Sequence, residues 1–585
     1  MKPTKEMNDN AKNGAVTLID MLEKQGVECV FGYSGAANLS IFDALYSSKI
    51  KLVVARHEQG ASHMADGYAR ATGKPGVLLV TSGPGATNAI TGVMTAMMDS
   101  VPMIVLTGQT PTHLIGLDAF QEADIFGMTM PVVKHNYLVK RVQDIPRIIR
   151  EAFLIATTGR PGPVLIDLPK DVTSAPFQGT LDAPMEIPGF ALPALPDEES
   201  IQSLVALLNQ SKKPLLLVGH GALLSGASKE VRALAERLQA PVTNTLLGKG
   251  CFSETHDLSL GMLGMYGTAY ANKALLECDL IMSIGSRWDD RINGNPKNFC
   301  PKAKKLHIDI DAAEIGKIVV PDAFAVGDAK LVLQELLKYV EPLDTKEWLE
   351  EIRQLKKDYP LSYQKTTGNQ PVGTASLRAQ QVIDTLYQLT EGKAIVTTDV
   401  GQHQMWAAQF FKTDEPDTWL SSGGAGTMGF GFPAAIGAQL GKPDQLVIAI
   451  VGDGGFQMTL AELSTAFNQK LPLKILVIDN KYLGMIRQWQ ELFLEGRYSG
   501  SDLEGNPDFC LLAQAYGVKA FKISREEDLQ STLIEALAYN QGPCLIHAEV
   551  VKDDNLFPMI PAGQSAEHMI LELPSYQMPM PEGSS

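Results

Sequence analysis

Short apolar runs recur along the chain, and most are followed by a stretch with helical period. Apolar residues at consecutive positions are typical of strands buried on both faces of a parallel sheet. Strands are predicted at 77–80, 104–106, 164–166, 215–218, 280–284, 306–310, 395–398, 446–451 and 475–478. The alternation of such strands with helices predicts an α/β fold of three doubly wound parallel-sheet domains.

Segments rich in proline and glycine, at 184–196 and 363–374, divide this pattern into blocks. The 585 residues exceed what one core holds, since domains usually run to roughly 100–200 residues. We therefore expect an N-terminal domain over 1–185, a central domain over 198–345, a C-terminal domain over 375–570 and a flexible tail over 571–585.

Composition and charge narrow the class of protein. Hydrophobic residues make up 45% of the chain, and 50 basic against 66 acidic residues give a formal net charge of −16. A nucleic-acid partner would require a basic surface, so none is expected. The N-terminus is polar, and no apolar run approaches the ~20 residues that span a bilayer. The chain is predicted to be cytoplasmic, with no membrane partner.

The six cysteines are scattered and form no Cys-x-x-Cys pair. A zinc site or a disulfide framework is therefore not expected. They are predicted to be buried free thiols in a reducing compartment.

One strand runs into Gly452-Asp453-Gly454, a helix-like stretch follows at about 459–467, and the next strand ends in Asp479-Asn480. The carboxyl ends of parallel strands share one sheet edge, so Asp453 and Asn480 can meet there. Mg²⁺ prefers such oxygen ligands together with phosphate oxygens, and glycines let backbone N–H groups approach a diphosphate. A lone Gly-Asp-Gly is usually only a turn, but the second strand and Asn480 strengthen the signal.

This segment resembles the diphosphate motif of thiamine-diphosphate (ThDP) enzymes, in which the Asp and Asn bind Mg²⁺. Many members carry Asn-Asn, so the ligand is placed at the second position, Asn480, and Tyr482 is a further candidate at the metal. The resemblance extends to 399–403 and to the glycine-rich loop 423–429, where Met428 would wedge the cofactor into its V shape. The cofactor-binding residues it implies are Val400, Gly401, Gln402, His403, Gly426, Met428, Gly454, Gly455 and Met485.

ThDP enzymes also need a glutamic acid that protonates the aminopyrimidine ring of the cofactor. In the family this residue follows a strand of the N-terminal domain, and Glu58 has that context. Taken alone, Glu58 reads better as a solvated glutamate at a helix start. The family builds its active site across two subunits, so the resemblance implies a homodimer or homotetramer.

Several segments narrow the resemblance to acetohydroxyacid synthases, over nearly the whole chain: 108–111, 116–127, 160–163, 167–171, 290–291 and 484–490. Phe120 and Gln121 are then active-site residues, and Lys170 lies near the mouth of the substrate channel. Trp489 would shape the pocket for the second 2-oxo acid and favour 2-oxobutanoate. Met485 and Phe493 would share the helix face of Trp489. Arg291 would clamp the acceptor carboxylate with its forked guanidinium.

The central block resembles the FAD-binding domain of the same synthases, in which the flavin has a structural role. The residues implied are Arg160, Gly219, Gly221, Thr245, Leu246, Met265, Asp309, Ile310, Asp328 and Ala329. Tyr266 stands where His is common, and Lys249 interrupts the usual glycine-rich turn. In the loop 32–40, Ser34 and Ala36 replace the usual Pro and Gly, which leaves substrate preference and inhibitor sensitivity open.

The resemblance implies ThDP, Mg²⁺ and FAD as cofactors, with pyruvate and 2-oxobutanoate as substrates. The products would be 2-acetolactate or 2-aceto-2-hydroxybutanoate, in branched-chain amino-acid biosynthesis, and a small regulatory subunit is a possible partner. The nearest alternatives are a catabolic FAD-free acetolactate synthase and a 2-oxo acid decarboxylase. Glyoxylate carboligase lacks the activating glutamate. A non-catalytic ThDP- or flavin-binding protein is disfavoured because Glu58, Asp453 and Asn480 occur together.

Overall fold

The computed structural model describes residues 12–182, 184–185, 187–191, 196–363 and 377–574. By their contacts the residues form two compact units, the first made of 1–192 with 436–441 and the second of 193–435 with 442–585. Part of the first seam, 184–196, most of the second, 363–374, and the tail from 575 onward lie outside the described residues. The predicted domain boundaries stay a prediction.

The first unit contains a six-stranded sheet in the order β2-β1-β3-β4-β6-β5, with every pair parallel. Its strands are β1 (Cys29–Gly32), β2 (Lys51–Val54), β3 (Gly76–Val80), β4 (Met103–Gln109), β5 (His135–Leu138) and β6 (Pro163–Pro169). Its helices are α1 (Gly14–Lys24), α2 (Leu39–Tyr46), α3 (Glu58–Thr72), α4 (Pro84–Asn88), α5 (Ile90–Met98), α6 (Ile125–Thr129), α7 (Ile145–Thr157) and α8 (Lys170–Ser174).

The core of the first unit lies between the sheet and its helices. Helix α7 shows why: Ile145, Ile148, Ile149, Ala152 and Phe153 recur at helical spacing and are all buried. The central strands β3, β4 and β6 are buried along their whole length. This matches the uninterrupted apolar runs from which they were predicted.

The second unit contains two six-stranded parallel sheets. The first of them has the order β12-β11-β10-β7-β8-β9, which is the order of dinucleotide-binding folds. Its strands are β7 (Pro214–Val218), β8 (Val242–Asn244), β9 (Ser259–Met262), β10 (Leu280–Ile284), β11 (Lys304–Asp309) and β12 (Ala323–Val326). The helices of this part are α9 (Glu198–Leu208), α10 (His220–Leu224), α11 (Ser228–Leu238), α12 (Ala269–Glu277), α13 (Asp290–Asn293), α14 (Ala329–Leu336) and α15 (Lys346–Asp358).

The other sheet of the second unit has the order β14-β13-β15-β16-β18-β17. Its strands are β13 (Ile395–Thr398), β14 (Trp419–Ser421), β15 (Val447–Gly452), β16 (Lys474–Asp479), β17 (Lys519–Ile523) and β18 (Cys544–Glu549). The helices are α16 (Ala379–Thr390), α17 (Gln402–Phe410), α18 (Gly431–Gly441, of which 436–441 belong to the first unit), α19 (Asp453–Thr459), α20 (Leu463–Asn468), α21 (Gly484–Phe493), α22 (Phe509–Ala515) and α23 (Glu526–Ala538).

These three parallel sheets with their helices confirm the predicted fold class. All nine predicted strands are present, with ends that differ by up to three residues. The helix predicted at about 459–467 is wrong in its bounds. Helix α19 begins at Asp453, a 3₁₀ turn at Leu460–Glu462 follows, and α20 begins at Leu463. The six cysteines are free thiols, five buried and Cys510 half-buried. Among the described residues, no helix combines the length and the apolar character that crossing a membrane requires.

Candidate active site

In the first unit, Glu58 is the first residue of α3 and is half-buried. Its Oε2 accepts a hydrogen bond from Asn88 Nδ2 at 3.1 Å. A methyl group added to Gly85 would lie 3.4 Å from Oε1, so this atom faces a position without a side chain. The neutral Asn88 amide therefore holds Glu58 through Oε2, and Oε1 is accessible to a further hydrogen-bond partner.

Two acidic side chains order the loop that carries Phe120 and Gln121, one from the loop itself and one from α8. Glu122 accepts hydrogen bonds from the backbone N–H groups of Gly116 and, at 2.9 Å, of Ala119. Asp171 accepts one from Thr112 N at 2.9 Å. Phe120 is 86% exposed, and Gln121 has a φ of 57°. The loop thus presents an aromatic side chain outward on a strained backbone, as binding loops often do.

A buried network lies under this loop. Asp167 accepts hydrogen bonds from Thr107 Oγ1 at 2.7 Å and from Gln109 Nε2 at 3.0 Å, and the same Nε2 donates to Ala123 O at 2.9 Å. Burial raises the pKa of Asp167 to about 7, although both donors oppose the rise. The network ties the ends of β4 and β6 to the loop.

The remaining predicted residues of the first unit lie near sheet ends. Lys170 is exposed at the start of α8, directly after β6. In the loop after β1, Ser34 and Ala36 are exposed, and Asn38 Oδ1 accepts a hydrogen bond from Gly35 N at 2.8 Å. Arg160 Nε donates to Ser100 Oγ at 2.9 Å.

In the second unit, Asp453 follows β15 and Asn480 follows β16, and these strands are neighbours with Gly452 opposite Ile478. Asn480 Oδ1 accepts a hydrogen bond from Tyr482 N at 3.1 Å, and its Nδ2 donates to Gln402 Oε1 at 3.3 Å. The structure thus brings the candidate metal-binding residues to one sheet edge, together with Gln402 from the start of α17.

Asp453 and Asp479 form a pair of buried acids at this edge. Burial, and then the charge of Asp479, raises the pKa of Asp453. Asp479 is compensated by His547, whose Nε2 lies 2.8 Å from Asp479 Oδ2. Burial lowers the pKa of His547, but Asp479 and Cys510 outweigh it and raise the pKa to about 9. Asp479 thus has a cationic partner in His547. A cation bound at Asp453 would likewise offset the cost of burying the negative charge of Asp453.

Asn506 links the two acids. Its Nδ2 lies 2.7 Å from Asp453 Oδ2 and 3.2 Å from Asp479 Oδ1, and its Oδ1 accepts a hydrogen bond from Gln457 Nε2 at 2.8 Å. Sequence reasoning missed Asn506 and His547. Asn506 lies in an irregular segment, and the one available signal was Asp479 at a position where an Asn is usual.

The loop after β13 meets the same edge. Asp399 Oδ1 accepts hydrogen bonds from Val400 N at 2.9 Å and Gly429 N at 2.7 Å, and a methyl group on Gly455 would lie 1.9 Å from Asp399 Oδ2. Gly455 therefore has to be a glycine for this approach. Burial raises the pKa of Asp399 to about 7 and lowers that of His403 to about 3.

This edge has the features that a metal-bound diphosphate requires. Among the described residues, Asp399 Oδ2 and His403 Nε2 are buried without a hydrogen-bond partner. Gly426 has φ +62° and no atom within 4 Å of where its Cβ would stand, so the backbone there is open to a ligand. Asp453 and Asn480 supply one carboxylate and one amide oxygen, a donor set suited to Mg²⁺ that also binds phosphate. Met428 is half-buried near Gly454. The residues at this sheet edge therefore fit a diphosphate held by Mg²⁺.

The predicted FAD-binding residues of the second unit gather at the carboxyl edge of the other sheet. Gly219 and Gly221 follow β7, where a methyl group on Gly219 would lie 2.2 Å from Gly285 O at the end of β10. The strand order reverses between β7 and β10, which is where dinucleotides bind in such sheets. The other predicted residues lie after β8, after β9, at the end of β11 and after β12: Thr245, Leu246, Met265, Asp309, Ile310, Asp328 and Ala329. The arrangement fits a dinucleotide.

The side chain of Lys249, which departs from the usual turn, contacts Glu254 and α17. Its buried Nζ is 2.5 Å from Glu254 Oε2 and donates to Ala408 O at 2.9 Å. Burial lowers its pKa, and the charge of Glu254 opposes the change. The lysine thus forms a buried ion pair with Glu254.

Trp489, Met485 and Phe493 lie along α21 at the predicted spacing, and the Trp489 and Phe493 rings are 5.4 Å apart between centroids. Trp489 Nε1 donates to Tyr266 Oη at 3.2 Å. Arg291 has a side chain 60% exposed, and its Nη1 lies 3.2 Å from Met265 Sδ. The structure thus holds Trp489 and Arg291 against two consecutive residues, Tyr266 and Met265.

Comparison with known protein families matches three parts of the chain. Residues 12–128 match the N-terminal TPP-binding domain of thiamine pyrophosphate enzymes, 201–336 the central domain and 399–548 the C-terminal TPP-binding domain. The chain is therefore a thiamine pyrophosphate enzyme, and thiamine diphosphate is its cofactor.

Similar curated proteins narrow the class. The acetolactate synthase large subunit of Parasynechococcus marenigrum is 47% identical over 576 residues, 96% of this chain and 91% of that protein. That of Haemophilus influenzae is 44% identical over 571 residues, 96% of this chain and 98% of that protein. A probable acetolactate synthase large subunit of Methanocaldococcus jannaschii is 47% identical over 565 residues, 94% of each chain. The chain belongs to the family of acetolactate synthase large subunits.

Proposed function

We propose that the chain decarboxylates pyruvate and joins the remaining two-carbon unit to a second 2-oxo acid. With pyruvate as acceptor the product is 2-acetolactate, and with 2-oxobutanoate it is 2-aceto-2-hydroxybutanoate, both precursors of branched-chain amino acids. The observation that carries this proposal is the placement of Trp489 and Arg291 against Tyr266 and Met265. An aromatic wall beside a guanidinium suits a second 2-oxo acid, which a simple decarboxylase does not bind.

Three residues of the second unit are proposed to hold Mg²⁺: Asp453 and Asn480 through side-chain oxygens, and Tyr482. The loops at 399–403 and 426–429 and the start of α19 would surround the diphosphate. When bound, thiamine diphosphate supplies the carbon nucleophile and the electron sink that decarboxylation of a 2-oxo acid needs.

Glu58 is proposed as the acid that would donate a proton to the aminopyrimidine ring of the cofactor and take it back. Asn88 fixes its Oε2, which leaves Oε1 for the proton. Arg291 is proposed to bind the acceptor carboxylate, for which its largely exposed guanidinium is available. Phe120, Gln121 and Lys170 are proposed to line the substrate channel.

We further propose FAD as a structural cofactor at the reversal point between β7 and β10. The strand order and the close approach of Gly219 and Gly285 support this proposal. Arg160 is a further candidate contact. FAD would separate this chain from the catabolic FAD-free synthases.

A homodimer or homotetramer is proposed, and exposed apolar side chains of the first unit support an assembly. Leu117, Phe120, Met128 and Met130 are each at least 50% exposed. The relatives are called large subunits, which supports a small regulatory subunit as a partner.

The test is acetolactate formation from pyruvate with Mg²⁺ and ThDP, with and without FAD, for wild type and Glu58→Gln. We expect acetolactate from wild type and a loss of about 10²–10⁴-fold in the variant, since general acid–base catalysis is worth that much. Glu199→Gln in the first turn of α9 is the control. Acetaldehyde as sole product would indicate a decarboxylase, and no turnover of pyruvate would point to another donor substrate.

A further inference from the structure

The hydroxyl group of Tyr266 lies between two side chains of α21. Trp489 Nε1 donates to it at 3.2 Å, and the hydroxyl donates to Met485 Sδ at 2.9 Å. Both partners lie on the helix face that also carries Phe493, and the hydroxyl thus joins the segment after β9 to that face. The hydrogen bond to Tyr266 is made by the ring nitrogen of Trp489, the one polar atom of its side chain.

The backbone around Tyr266 is anchored on several sides. Gln409 Nε2 donates to Tyr266 O at 3.0 Å, and Ile560 N donates to Met265 O at 2.8 Å. Met265 N in turn donates to Arg291 O at 2.9 Å. Only 7% of Tyr266 is exposed. The hydroxyl therefore occupies a fixed point, and the indole that donates to it is fixed as well.

The chemistry of the hydroxyl suits this double contact. A phenol can accept one hydrogen bond and donate another at the same time. Burial raises the pKa of Tyr266 to about 12, and the Trp489 hydrogen bond lowers it only in part. The group therefore keeps its proton at neutral pH and can donate to the sulfur while it accepts from the indole.

Trp489 packs against the apolar core of the second unit, but apolar contacts are non-directional and do not fix the direction of its indole N–H. Its ring is half-buried and meets Phe493 at 64°, an edge contact that constrains one side. Buried indole N–H groups usually have a hydrogen-bond partner, and loss of that partner favours a rotamer that reaches water. A wall that can move discriminates poorly between acceptors that differ by one methylene group, a difference worth about 10–200-fold in a fixed pocket.

We infer that Tyr266 is a positioning residue that sets acceptor preference by fixing the indole of Trp489. The inference rests on the proposed function, in which Trp489 bounds the second 2-oxo acid. Tyr266 itself is not proposed to contact the reacting atoms. It acts through Trp489, with Met485 as the second anchor of its hydroxyl.

The test is a competition between pyruvate and 2-oxobutanoate, read as the ratio of 2-aceto-2-hydroxybutanoate to 2-acetolactate. Tyr266→Phe removes only the hydroxyl, and we expect it to lower the ratio about three- to tenfold, the value of one lost hydrogen bond. In a Trp489→Phe background the same substitution should leave the ratio unchanged. Tyr266→His restores a donor and acceptor and should recover part of the ratio. Tyr270→Phe, half-buried at the start of α12, is the matched control.

A second readout does not depend on turnover. The fluorescence of Trp489, taken as the difference between chains with and without it, should be quenched more by acrylamide in Tyr266→Phe. The inference is overturned if Tyr266→Phe leaves both ratio and quenching unchanged, or if it shifts the ratio equally in the Trp489→Phe background. It is also overturned if Trp489→Phe leaves the ratio unchanged. Failure of wild type to form acetolactate would instead refute the proposed function, and the quenching result would still decide whether Tyr266 holds the ring.

Discussion

The amide of Asn506 stands between Asp453 and Asp479, and Gln457 fixes its orientation. A side chain that holds a metal ligand in place typically contributes 10–100-fold to metal affinity. We therefore expect Asn506→Ala to raise the Mg²⁺ concentration for half-maximal ThDP binding by about this factor, measured by titration calorimetry. Asn468→Ala, exposed at the end of α20, is the control. An unchanged Mg²⁺ requirement would show that Asn506 does not hold Asp453 in position for Mg²⁺ binding.

Asp167 makes stability depend on pH. Its pKa is raised to about 7 by burial, so the folded protein favours the protonated carboxyl. The stabilisation is complete below the unfolded pKa of about 3.9 and is lost as pH rises toward 7. The melting temperature of wild type minus that of Asp167→Asn should therefore fall between about pH 4 and pH 7 and then level off. Asp43→Asn, exposed on α2, is the control. A difference that rises with pH would contradict the assignment.

At the scale of elements, the loop between β4 and α6 depends on Glu122, which accepts from Gly116 N and Ala119 N. Glu122→Ala should free these amides, and their hydrogen exchange should become faster by about fivefold, because each bond is worth roughly 1 kcal/mol. The KM for pyruvate should rise as Phe120 and Gln121 lose their fixed positions. Glu23→Ala, at the far end of α1, should change neither quantity. Faster hydrogen exchange without a change in KM would show that the order of this loop does not affect pyruvate binding.

The elements show what the chain pattern could and could not predict. The strands predicted from uninterrupted apolar runs, such as β4 and β10, are interior strands buried throughout. Edge strands such as β5 and β17 were not predicted because they are only partly buried and polar residues interrupt their apolar runs. The interior strands β1 and β18 are buried apart from Glu549, but a glycine in β1 and a histidine and a glutamate in β18 shorten their apolar runs.

The same limit applies to the candidate site. Asp453 and Asn480 could be placed together because parallel strand order puts consecutive strand ends at one edge. Asn506 and Tyr266 reach their partners from irregular segments, over 53 and 223 positions along the chain. No local periodicity encodes such contacts. The start of α19 at Asp453 was missed because Gly454 and Gly455 read as a loop, although Gly455 is set by its approach to Asp399.

At the scale of the whole molecule, the first and third sheets repeat one strand order, and the middle sheet has another. In the first and third sheets the order reverses at the same relative place, between β1 and β3 and between β13 and β15. The segments that follow these strands carry Ser34 in the first sheet, and His403 and Asp453 in the third. Ligands bind at such reversals in open α/β sheets, so the repeated order gives each sheet a binding edge of its own.

Within the second unit, the two sheets are joined by the buried ion pair of Lys249 and Glu254. Lys249 Nζ also donates to Ala408 O, and Glu254 Oε2 accepts from Thr413 N at 2.8 Å and Thr413 Oγ1 at 2.9 Å. Both side chains are at most 6% exposed. Removal of one partner from such a pair leaves an uncompensated charge, which typically costs about 3–5 kcal/mol, whereas replacing both is often neutral.

We therefore expect Lys249→Met to lower the free energy of unfolding by about 3–5 kcal/mol. The double variant Lys249→Met/Glu254→Gln should recover most of this loss, because a neutral amide can still accept from Thr413. Urea unfolding followed by circular dichroism and tryptophan fluorescence measures both. Lys302→Met breaks an exposed pair with Glu277, of 62% and 51% side-chain exposure, and should change little. A double variant as unstable as the single one would mean that packing of the lysine stem, rather than charge compensation, holds the two sheets together.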